Sequence, residues 1–160
     1  PYLYEFPVNH MVTALKLGGQ LKYARLMGRL LAEAVAQRYG NDSMPEALIP
    51  VPLHRNRLLR RGFNQSVLIA HEVGSRLGIL SDCGSAMRVK HSPSQTGLSR
   101  SGRQENIRHA FSMKASPSRQ HVAIVDDVMT TGCTAHELVR TLKRAGVTRV
   151  DVWVFARTPG

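Results

Sequence analysis

The sequence predicts an α/β fold in which a parallel β-sheet is flanked by helices. Residues 122–125 are apolar and mostly β-branched, which is typical of a strand buried on both faces. Two acids and a small polar loop follow, and then an apolar periodicity from about Ala135 to Ala145 predicts a helix. A second strand, turn and helix begin near residue 47. This alternation favours parallel strands joined by right-handed crossovers.

The first part of the chain, residues 1–40, is predicted to be a helical lead-in. One face of its first helix carries apolar side chains, which are Val8, Val12, Leu15 and Leu17. Gly18 and Gly19 interrupt this helix, and a second helix is predicted from Leu21 to about Tyr39. We expect the lead-in to contribute packing and no chemistry.

Residues 47–53 predict a buried strand that ends abruptly, because Pro50 and Pro52 cannot both lie inside a sheet. A basic loop is expected next, and its cationic side chains are His54, Arg55, Arg57, Arg60 and Arg61. The stretch 61–65 then opens a helix. A strand, a kinked turn, cations and a helix indicate an anion site. A solvated basic surface loop is the alternative.

Residues 86–113 predict two short strands around a long loop. Met87 and Val89 begin one strand, and residues 111–113 form the returning strand. The loop, residues 90–109, is rich in Ser, Gly and Pro and carries cations, which predicts a flexible lid or a disordered hairpin tip. At the C-terminus, residues 147–155 predict a mostly buried strand with Trp153 in the core.

Composition limits the possible functions. The chain of 160 residues fits one domain, residues 1–160, and its formal net charge of +11 favours anionic partners. Phosphorylated small molecules, nucleic acid and anionic membranes all remain possible partners. The two cysteines form no C-x-x-C motif, so a reducing, cytoplasmic location is expected. Because no apolar run is long enough to span a bilayer, membrane insertion is not expected.

The segment that follows residues 122–125 is suited to a ribose phosphate. Backbone N–H groups of a helix N-terminus bind phosphate, and a loop of Thr and Gly allows close approach. The carboxylates of Asp126 and Asp127 can accept hydrogen bonds from sugar hydroxyls or hold a divalent cation through water. The alternative is an ordinary strand–turn–helix with a capping Thr, which needs only one hydroxyl.

The residues Val125–Thr134, read as Val-Asp-Asp-Val-Met-Thr-Thr-Gly-Cys-Thr, resemble the phosphoribosyl pyrophosphate signature of type I phosphoribosyltransferases. Further motifs resemble the competence protein ComF family, which includes GntX-like proteins. These are Pro50-Val51-Pro52-Leu53, Arg61-Gly62-Phe63-Asn64-Gln65, Gln95-Thr-Gly-Leu98 and Arg103-x-x-Asn106-x-x-x-Ala110-Phe111. Members usually begin with a four-cysteine zinc segment, which this sequence lacks. Because the first residue is Pro1, we expect a fragment of a longer protein.

The resemblance implies a type I phosphoribosyltransferase fold with a flexible lid, phosphoribosyl pyrophosphate as ligand and Mg²⁺ as cofactor. It assigns catalysis to Asp126, Asp127 and Arg103, and a water-mediated Mg²⁺ to the same two acids. The phosphate and ribose group would be bound by Asp126, Asp127, Val128, Met129, Thr130, Thr131, Gly132, Cys133 and Thr134. The pyrophosphate would be bound by Val51, Pro52, Leu53, Arg55, Arg61, Lys90 and Arg100.

Three functions stay open from the sequence. The first is transfer of phosphoribose to an unknown acceptor, a pentosyl glycosyltransferase reaction associated with DNA uptake in competence. The second is a catalytically silent protein that senses the same ligand. The third is a competence factor that binds single-stranded DNA, alone or with other competence proteins, through phosphate contacts.

Overall fold

The computed structural model describes residues 2–40, 43–90, 107–114 and 118–159. The strands are β1 (Tyr2–Leu3), β2 (Ala47–Pro50), β3 (Leu80–Ser81), β4 (Ala86–Arg88), β5 (Phe111–Met113), β6 (His121–Met129) and β7 (Arg149–Arg157). The helices are α1 (Val8–Lys16), α2 (Lys22–Tyr39), α3 (Arg55–Arg61), α4 (Gln65–Leu77) and α5 (Cys133–Arg144). No helix in these ranges is long and apolar enough to cross a membrane.

A five-stranded parallel sheet forms the centre of the molecule, with strand order β1-β7-β6-β2-β3. In its middle, Ile49 of β2 lies opposite Ile124 of β6, which lies opposite Val152 of β7. Strands β4 and β5 form a separate antiparallel pair. The predicted α/β fold with a parallel sheet flanked by helices is therefore confirmed.

Strand β6 is central because its two sets of side chains enter two different cores. Ala123 and Val125 pack in a cluster with side chains of α1, α2 and α4. Val122 and Ile124 pack in a second cluster with side chains of α5 and β5. A strand covered on both faces has no polar side, which explains the unbroken apolar run in the sequence.

The helical lead-in forms largely as predicted. Helix α2 spans Lys22–Tyr39, and Val8, Val12 and Leu15 of α1 are buried. Leu17, which was predicted to share the apolar face of this helix, follows the end of α1 and is 82% exposed, so that part of the prediction is wrong. Strand β1 was missed because two residues are too few to show a period, and only its pairing with β7 identifies it.

The basic segment after β2 is a helix rather than the predicted loop. Strand β2 ends at Pro50, three residues before the predicted limit, and α3 begins at Arg55. Arg and Leu are good helix formers. His54 caps the N-terminus by accepting a hydrogen bond from the Asn56 N–H, and Gly62 ends the helix with φ of 80°. These local signals outweigh the density of positive charge.

The remaining elements agree with the sequence in kind. The predicted pair of short strands is present as β4 and β5, and Trp153 of β7 is buried. Strand β6 is longer than predicted and includes both acids. Strand β3, of two residues, was not predicted. Most of the predicted lid, residues 90–109, lies outside the described residues.

Candidate ligand site at the carboxyl edge of the sheet

The turn after β2 and the loop after β6 lie side by side. Pro50 is the register partner of Val125, and the Val51 N–H donates to the Val125 carbonyl at 2.9 Å. The Asn64 side-chain amide donates to the Val51 carbonyl at 3.0 Å, which ties the start of α4 to the same turn. Ligands of open α/β sheets bind at this carboxyl edge. The two predicted anion-binding segments therefore share one edge of the sheet.

The loop between β6 and α5 exposes the start of a helix. Gly132, the residue before α5, has φ of 76°, a left-handed conformation that favours glycine. The Thr131 hydroxyl donates to the Cys133 sulfur at 3.2 Å. Among the described side chains, none caps this helix. The backbone N–H groups of its first turn are thus available to an anion.

A shallow pocket, open to solvent, lies against this loop. Its lining residues are Asp126, Val128, Met129, Thr130, Thr131, Gly132, Cys133, Thr134, Ala135 and Val154. Every residue predicted to bind the phosphate and ribose therefore lines the pocket, with the exception of Asp127. A carboxylate, hydroxyl groups and backbone N–H groups face the same space.

Asp126 is the acid that lines the pocket. One of its oxygens, Oδ1, accepts hydrogen bonds from the Ser66 hydroxyl at 2.8 Å and from the Asp127 N–H at 2.9 Å. Burial and the neighbouring charge of Asp127 raise the pKa of Asp126 to about 7, against the lowering effect of the Ser66 hydrogen bond. Asp126 is therefore expected to exchange its proton close to neutral pH in the ligand-free protein.

Asp127 has a different environment, although it is adjacent in sequence. It is only 2% exposed, and the Lys16 ammonium lies 2.5 Å from its Oδ2. That oxygen accepts no hydrogen bond of good geometry from the described residues, so the contact is an ion pair formed by close approach. Lys16 belongs to the last turn of α1, in the lead-in for which no chemistry was expected.

Two arginines bring positive charge to the acids. Arg61, at the end of α3, donates to the Gln65 side-chain oxygen at 2.6 Å. Burial lowers the pKa of Arg61, and the charge of Asp127 opposes that shift. Burial and the charge of Arg57 lower the pKa of Arg88, and the charge of Asp126 opposes it. The basic helix and the acidic pair are therefore electrostatically coupled.

Arg88 is a candidate site residue that sequence reasoning missed. Its guanidinium carbon lies 5.5 Å from the centre of the Phe111 ring, and its Nε is buried without a hydrogen-bond partner among the described residues. A backbone bridge joins Arg88 to His54, so β4 is held against the start of α3. No sequence signal marked it, because an arginine between the apolar residues Met87 and Val89 is expected on the solvent face of a strand, whereas in the structure Met87 is exposed and Arg88 is half-buried.

The other predicted pyrophosphate residues occupy varied positions. Val51 is buried, whereas Pro52 and Leu53 are half-buried at the turn. Arg55 is exposed at the start of α3, and Lys90 is exposed after β4. Arg100 and Arg103 lie outside the described residues, so their predicted roles stay predictions. Lys16, Ser66 and Arg88 are the additional residues that the structure brings to the acids.

The donor set suits an indirectly held Mg²⁺. Asp126 lines the pocket with one oxygen already accepting two hydrogen bonds. In the ranges that the structure describes, no three His, Cys, Asp or Glu side chains come together in a cluster that could hold a metal ion. Mg²⁺ commonly keeps several waters and takes ligands from one or two carboxylates and from substrate phosphates. The residues present fit that mode of binding.

Comparison with protein families gives a match over most of the chain. A family model described as the phosphoribosyl transferase domain matches residues 20–160. The chain is 38% identical over 156 residues to Competence protein F of Haemophilus influenzae, a match that covers 94% of this chain and 68% of that protein. It is 36% identical over 157 residues to the DNA utilization protein YhgH of Salmonella typhimurium, covering 97% of this chain and 69% of that protein.

Solved structures share the fold. One is the glutamine phosphoribosylpyrophosphate amidotransferase from B. subtilis, complexed with ADP and GMP, with a TM-score of 0.53, 20% identity and coverage of 82% of this chain and 26% of that chain. Another is described as the allosteric regulatory enzyme of purine biosynthesis. Its TM-score is 0.51 at 20% identity, and the match covers 82% of this chain and 25% of that chain. At this identity the likeness concerns the fold alone.

Proposed function

Because the chain belongs to the phosphoribosyl transferase domain family, we propose that it binds phosphoribosyl pyrophosphate and Mg²⁺ in the pocket beside Asp126. The two bacterial relatives confirm the resemblance to the competence protein family. One observation carries the proposal: Asp126 and the loop 128–135 line the same pocket at the N-terminus of α5. A sugar that bears a phosphate needs a carboxylate for its hydroxyl groups and, beside it, backbone N–H donors for its phosphate.

The 5′-phosphate is proposed to lie at the start of α5. There the backbone N–H groups and the partial positive charge of the helix favour an anion. The side chains of Thr130, Thr131 and Thr134 line the pocket and can add hydroxyl donors. Because Gly132 has a left-handed backbone and no side chain, the loop can approach a phosphate closely.

The ribose and the pyrophosphate are proposed to lie between Asp126 and the cations of α3 and β4. The other oxygen of Asp126, which accepts no hydrogen bond from the residues that the structure describes, can accept one from a ribose hydroxyl. Arg61 and Arg88 provide charge for the pyrophosphate, together with the predicted contributions of Arg55, Lys90, Arg100 and Arg103. When bound, Mg²⁺ would neutralise part of the diphosphate charge and stabilise it as a leaving group.

If the protein transfers phosphoribose, its residues act mainly through position and charge. Departure of pyrophosphate from ribose C1 leaves positive charge on the sugar and negative charge on the leaving group. The negative charge of Asp126 would stabilise the positive charge on the sugar. The positive charges of Arg61 and Arg88 would stabilise the negative charge on the leaving pyrophosphate. The acceptor is a nucleophile of unassigned class. We propose that the activity serves the use of DNA taken up by bacteria, because the relatives are named for competence and DNA utilization.

The first prediction tests the ligand site by calorimetric titration of phosphoribosyl pyrophosphate in the presence of Mg²⁺. We expect saturable binding, and we expect Asp126→Asn to weaken it by about tenfold or more, because a charged hydrogen-bond acceptor is lost. Thr131→Ala should weaken it less. Glu33→Gln is the matched control, since Glu33 is an exposed acid paired with Arg29 on α2. Absence of binding at neutral pH, confirmed by equilibrium dialysis, would contradict the proposal.

Turnover separates the transferase from the ligand-sensing protein. Both bind phosphoribosyl pyrophosphate, but only the transferase releases pyrophosphate when a nucleophile is supplied. Release should be measured with wild-type protein and with Asp126→Asn across nucleobases, amines and nucleic acid as candidate acceptors. Saturable binding without release from any acceptor class would favour the ligand-sensing role.

A second candidate function is binding of single-stranded DNA, and the two faces of α3 favour it. Arg57 and Arg61 are half-buried and act electrostatically on the site, whereas Arg55 and Arg60 are exposed. Exposed arginines beside a phosphate site can contact the phosphates of a nucleic acid strand without reading its sequence. The formal net charge of +11 supports the same role.

A further inference from the structure

We propose that Glu137 is a positioning residue: it fixes the turn that leads into β5, and through β5 it holds Arg88 in place for the pyrophosphate. The inference rests on the proposed function, because it names the residue that controls where one of the proposed pyrophosphate cations lies. Glu137 belongs to the second turn of α5 and lies outside the motifs recognised in the sequence.

Glu137 carries a carboxylate on the buried face of α5. The residue is 4% exposed, and a carboxylate removed from water is destabilised unless partners compensate it. Its Oε1 accepts a hydrogen bond from the His109 N–H at 2.9 Å. Arg140 Nη1 lies 4.0 Å from Oε2, but the Arg140 side chain is 44% exposed, so this ion pair is weak. Among the described residues, the backbone of His109 is therefore the specific partner of Glu137.

His109 has a backbone conformation that needs support. Its φ is 57°, and among the described residues other than glycine it alone has a positive φ. A residue with a side chain adopts this left-handed conformation at a cost and keeps it where its surroundings hold it. Ile107 and Ala110 are buried on either side, whereas His109 itself is exposed and gains little from packing. The hydrogen bond to Glu137 therefore holds the turn.

The turn at His109 leads directly into the strand pair that carries Arg88. The Ala110 carbonyl accepts a hydrogen bond from the Val89 N–H at 2.9 Å, and Phe111 is the register partner of Arg88. The Arg88 guanidinium carbon lies 5.5 Å from the centre of the Phe111 ring, and its Nε is buried without a hydrogen-bond partner among the described residues. The position of Arg88 therefore depends on the ring and on the strand pairing.

Helix α5 thereby connects the two parts of the proposed site. Its first residue, Cys133, lines the pocket at the proposed phosphate loop. Glu137, one turn further along, is not among the residues that line the pocket. Loss of its hydrogen-bond acceptor should consequently displace Arg88 and leave the phosphate loop intact. Binding of the pyrophosphate then depends on a glutamate that does not touch the ligand.

The experiment compares calorimetric binding of phosphoribosyl pyrophosphate with Mg²⁺ and of ribose 5-phosphate, which has no pyrophosphate. Glu137→Gln keeps the reach of the side chain without its charge, and should bind both ligands like wild type because its oxygen still accepts the hydrogen bond. Glu137→Asp, with the charge but not the reach, and Glu137→Met should weaken only phosphoribosyl pyrophosphate, by about tenfold. Glu33→Met, at an exposed acid of α2, is the matched control.

A double variant decides whether Glu137 acts through Arg88. Arg88→Met should weaken phosphoribosyl pyrophosphate at least as much as Glu137→Met, and R88M/E137M should bind no more weakly than Arg88→Met, because no cation is left to position. The inference is wrong if the two losses add. It is also wrong if Glu137→Met weakens ribose 5-phosphate equally, or if Glu137→Gln binds as weakly as Glu137→Met, because the phosphate loop or the charge of Glu137 is then responsible.

Failure of the proposed function is distinguishable from failure of this inference. If wild-type protein binds no phosphoribosyl pyrophosphate, the ligand role of Arg88 fails together with the proposed function. The positioning of Arg88 is still decided by nuclear magnetic resonance without ligand. Glu137→Met should accelerate amide exchange at Val89 and shift the Arg88 Nε–H resonance, and Glu137→Gln should preserve both signals. Signals in Glu137→Met that match wild type would overturn the inference. If Glu137→Met does not fold, Glu137→Asp carries the same comparisons.

Discussion

Asp126 and Asp151 lie on neighbouring strands, and their carboxyl groups have pKa values shifted in opposite directions. Burial and the charge of Asp127 raise the pKa of Asp126 to about 7. Burial alone would also raise the pKa of Asp151, but hydrogen bonds from Tyr39 and His121 and the charge of Arg149 outweigh it and lower that pKa. The Tyr39 hydroxyl and His121 Nε2 both lie 2.6 Å from Asp151 Oδ2. Partners, and not residue type, decide the protonation of each acid.

At the residue scale we predict how Asp151 affects stability. Because its folded-state pKa lies below the unfolded value of about 3.9, its contribution is present above that pH and is lost as pH falls through the folded-state pKa. Asp151→Asn should lower the free energy of unfolding by about 1–2 kcal/mol at pH 5. The difference from wild type should shrink at pH 3. Urea denaturation at both pH values measures it.

Glu33→Gln serves as the control for this titration. Glu33 is about half exposed and pairs with Arg29 four residues away on the same helix, so its removal should change stability by less than about 0.5 kcal/mol at either pH. The titration of Asp126 changes the free energy of unfolding of wild type and of Asp151→Asn by the same amount. It therefore does not affect the difference between the two proteins. If the free energies of unfolding of wild type and Asp151→Asn differ by the same amount at pH 5 and pH 3, the charge of Asp151 does not contribute to stability and the prediction is wrong.

At the scale of elements, α2 and α4 approach closely at Gly28. A Cβ atom at Gly28 would lie 2.6 Å from the Glu72 Cβ and 3.0 Å from the Ile69 carbonyl oxygen. Neither of those atoms is the far end of a flexible side chain, so a methyl group cannot be accommodated without moving a helix. This contact brings α2 over the same face of β6 as α4, and α1 then packs beside α2.

We therefore predict that Gly28→Ala destabilises the protein. In an exposed helix this substitution stabilises by about 0.5–1 kcal/mol, but overpacking at a close contact costs about 1–3 kcal/mol. The net effect should be a melting temperature several degrees lower, measured by circular dichroism. Gln37→Ala, at an exposed position of the same helix, is the matched control and should melt like wild type. An unchanged or higher melting temperature for Gly28→Ala would contradict the packing.

At the scale of the whole molecule, a strongly basic chain carries a small acidic site. The formal net charge is +11, yet the pocket is lined by the carboxylate of Asp126, and Asp127 lies below it. Arg55 and Arg60 face solvent beside this site, whereas Arg144 lies at the opposite end of α5 from its N-terminal loop. If DNA and phosphoribosyl pyrophosphate both bind, they should use the same cations.

The last prediction follows from that shared charge. Single-stranded DNA should bind without sequence preference, and its affinity should fall by more than about tenfold between roughly 50 and 200 mM salt. Arg55→Glu and Arg61→Glu should weaken binding of both ligands, and phosphoribosyl pyrophosphate should compete with a labelled oligonucleotide in fluorescence anisotropy at fixed ionic strength. Arg144→Glu, with the same change of charge at the far end of α5, is the control. Equal losses in all three variants, without competition, would separate DNA binding from the pocket.

The sequence by itself determined the elements whose signal is local. Residues 122–125 predict a strand because covered β-strands are continuously apolar, and the Asp, Thr and Gly residues after them predict a phosphate loop from their order alone. The stop signal after Tyr39 and the pair of short strands β4 and β5 were also readable in consecutive residues. Strand β1 and the helical state of residues 55–61 were not, because two residues show no periodicity and a run of arginines obscured helix propensity.

Only the tertiary structure decided how the two adjacent acids differ. Asp126 and Asp127 are identical in type and neighbours in sequence, so no pattern in the chain separates them. Their surroundings come from elements far away along the chain: Ser66 from α4, Lys16 from α1 and Arg88 from β4. Which of these distant residues come close to the acids depends on how the helices and β4 cover the sheet, and periodicity carries no information about that. The physical reason is that solvation and charge act through space, whereas a motif records only order along the chain.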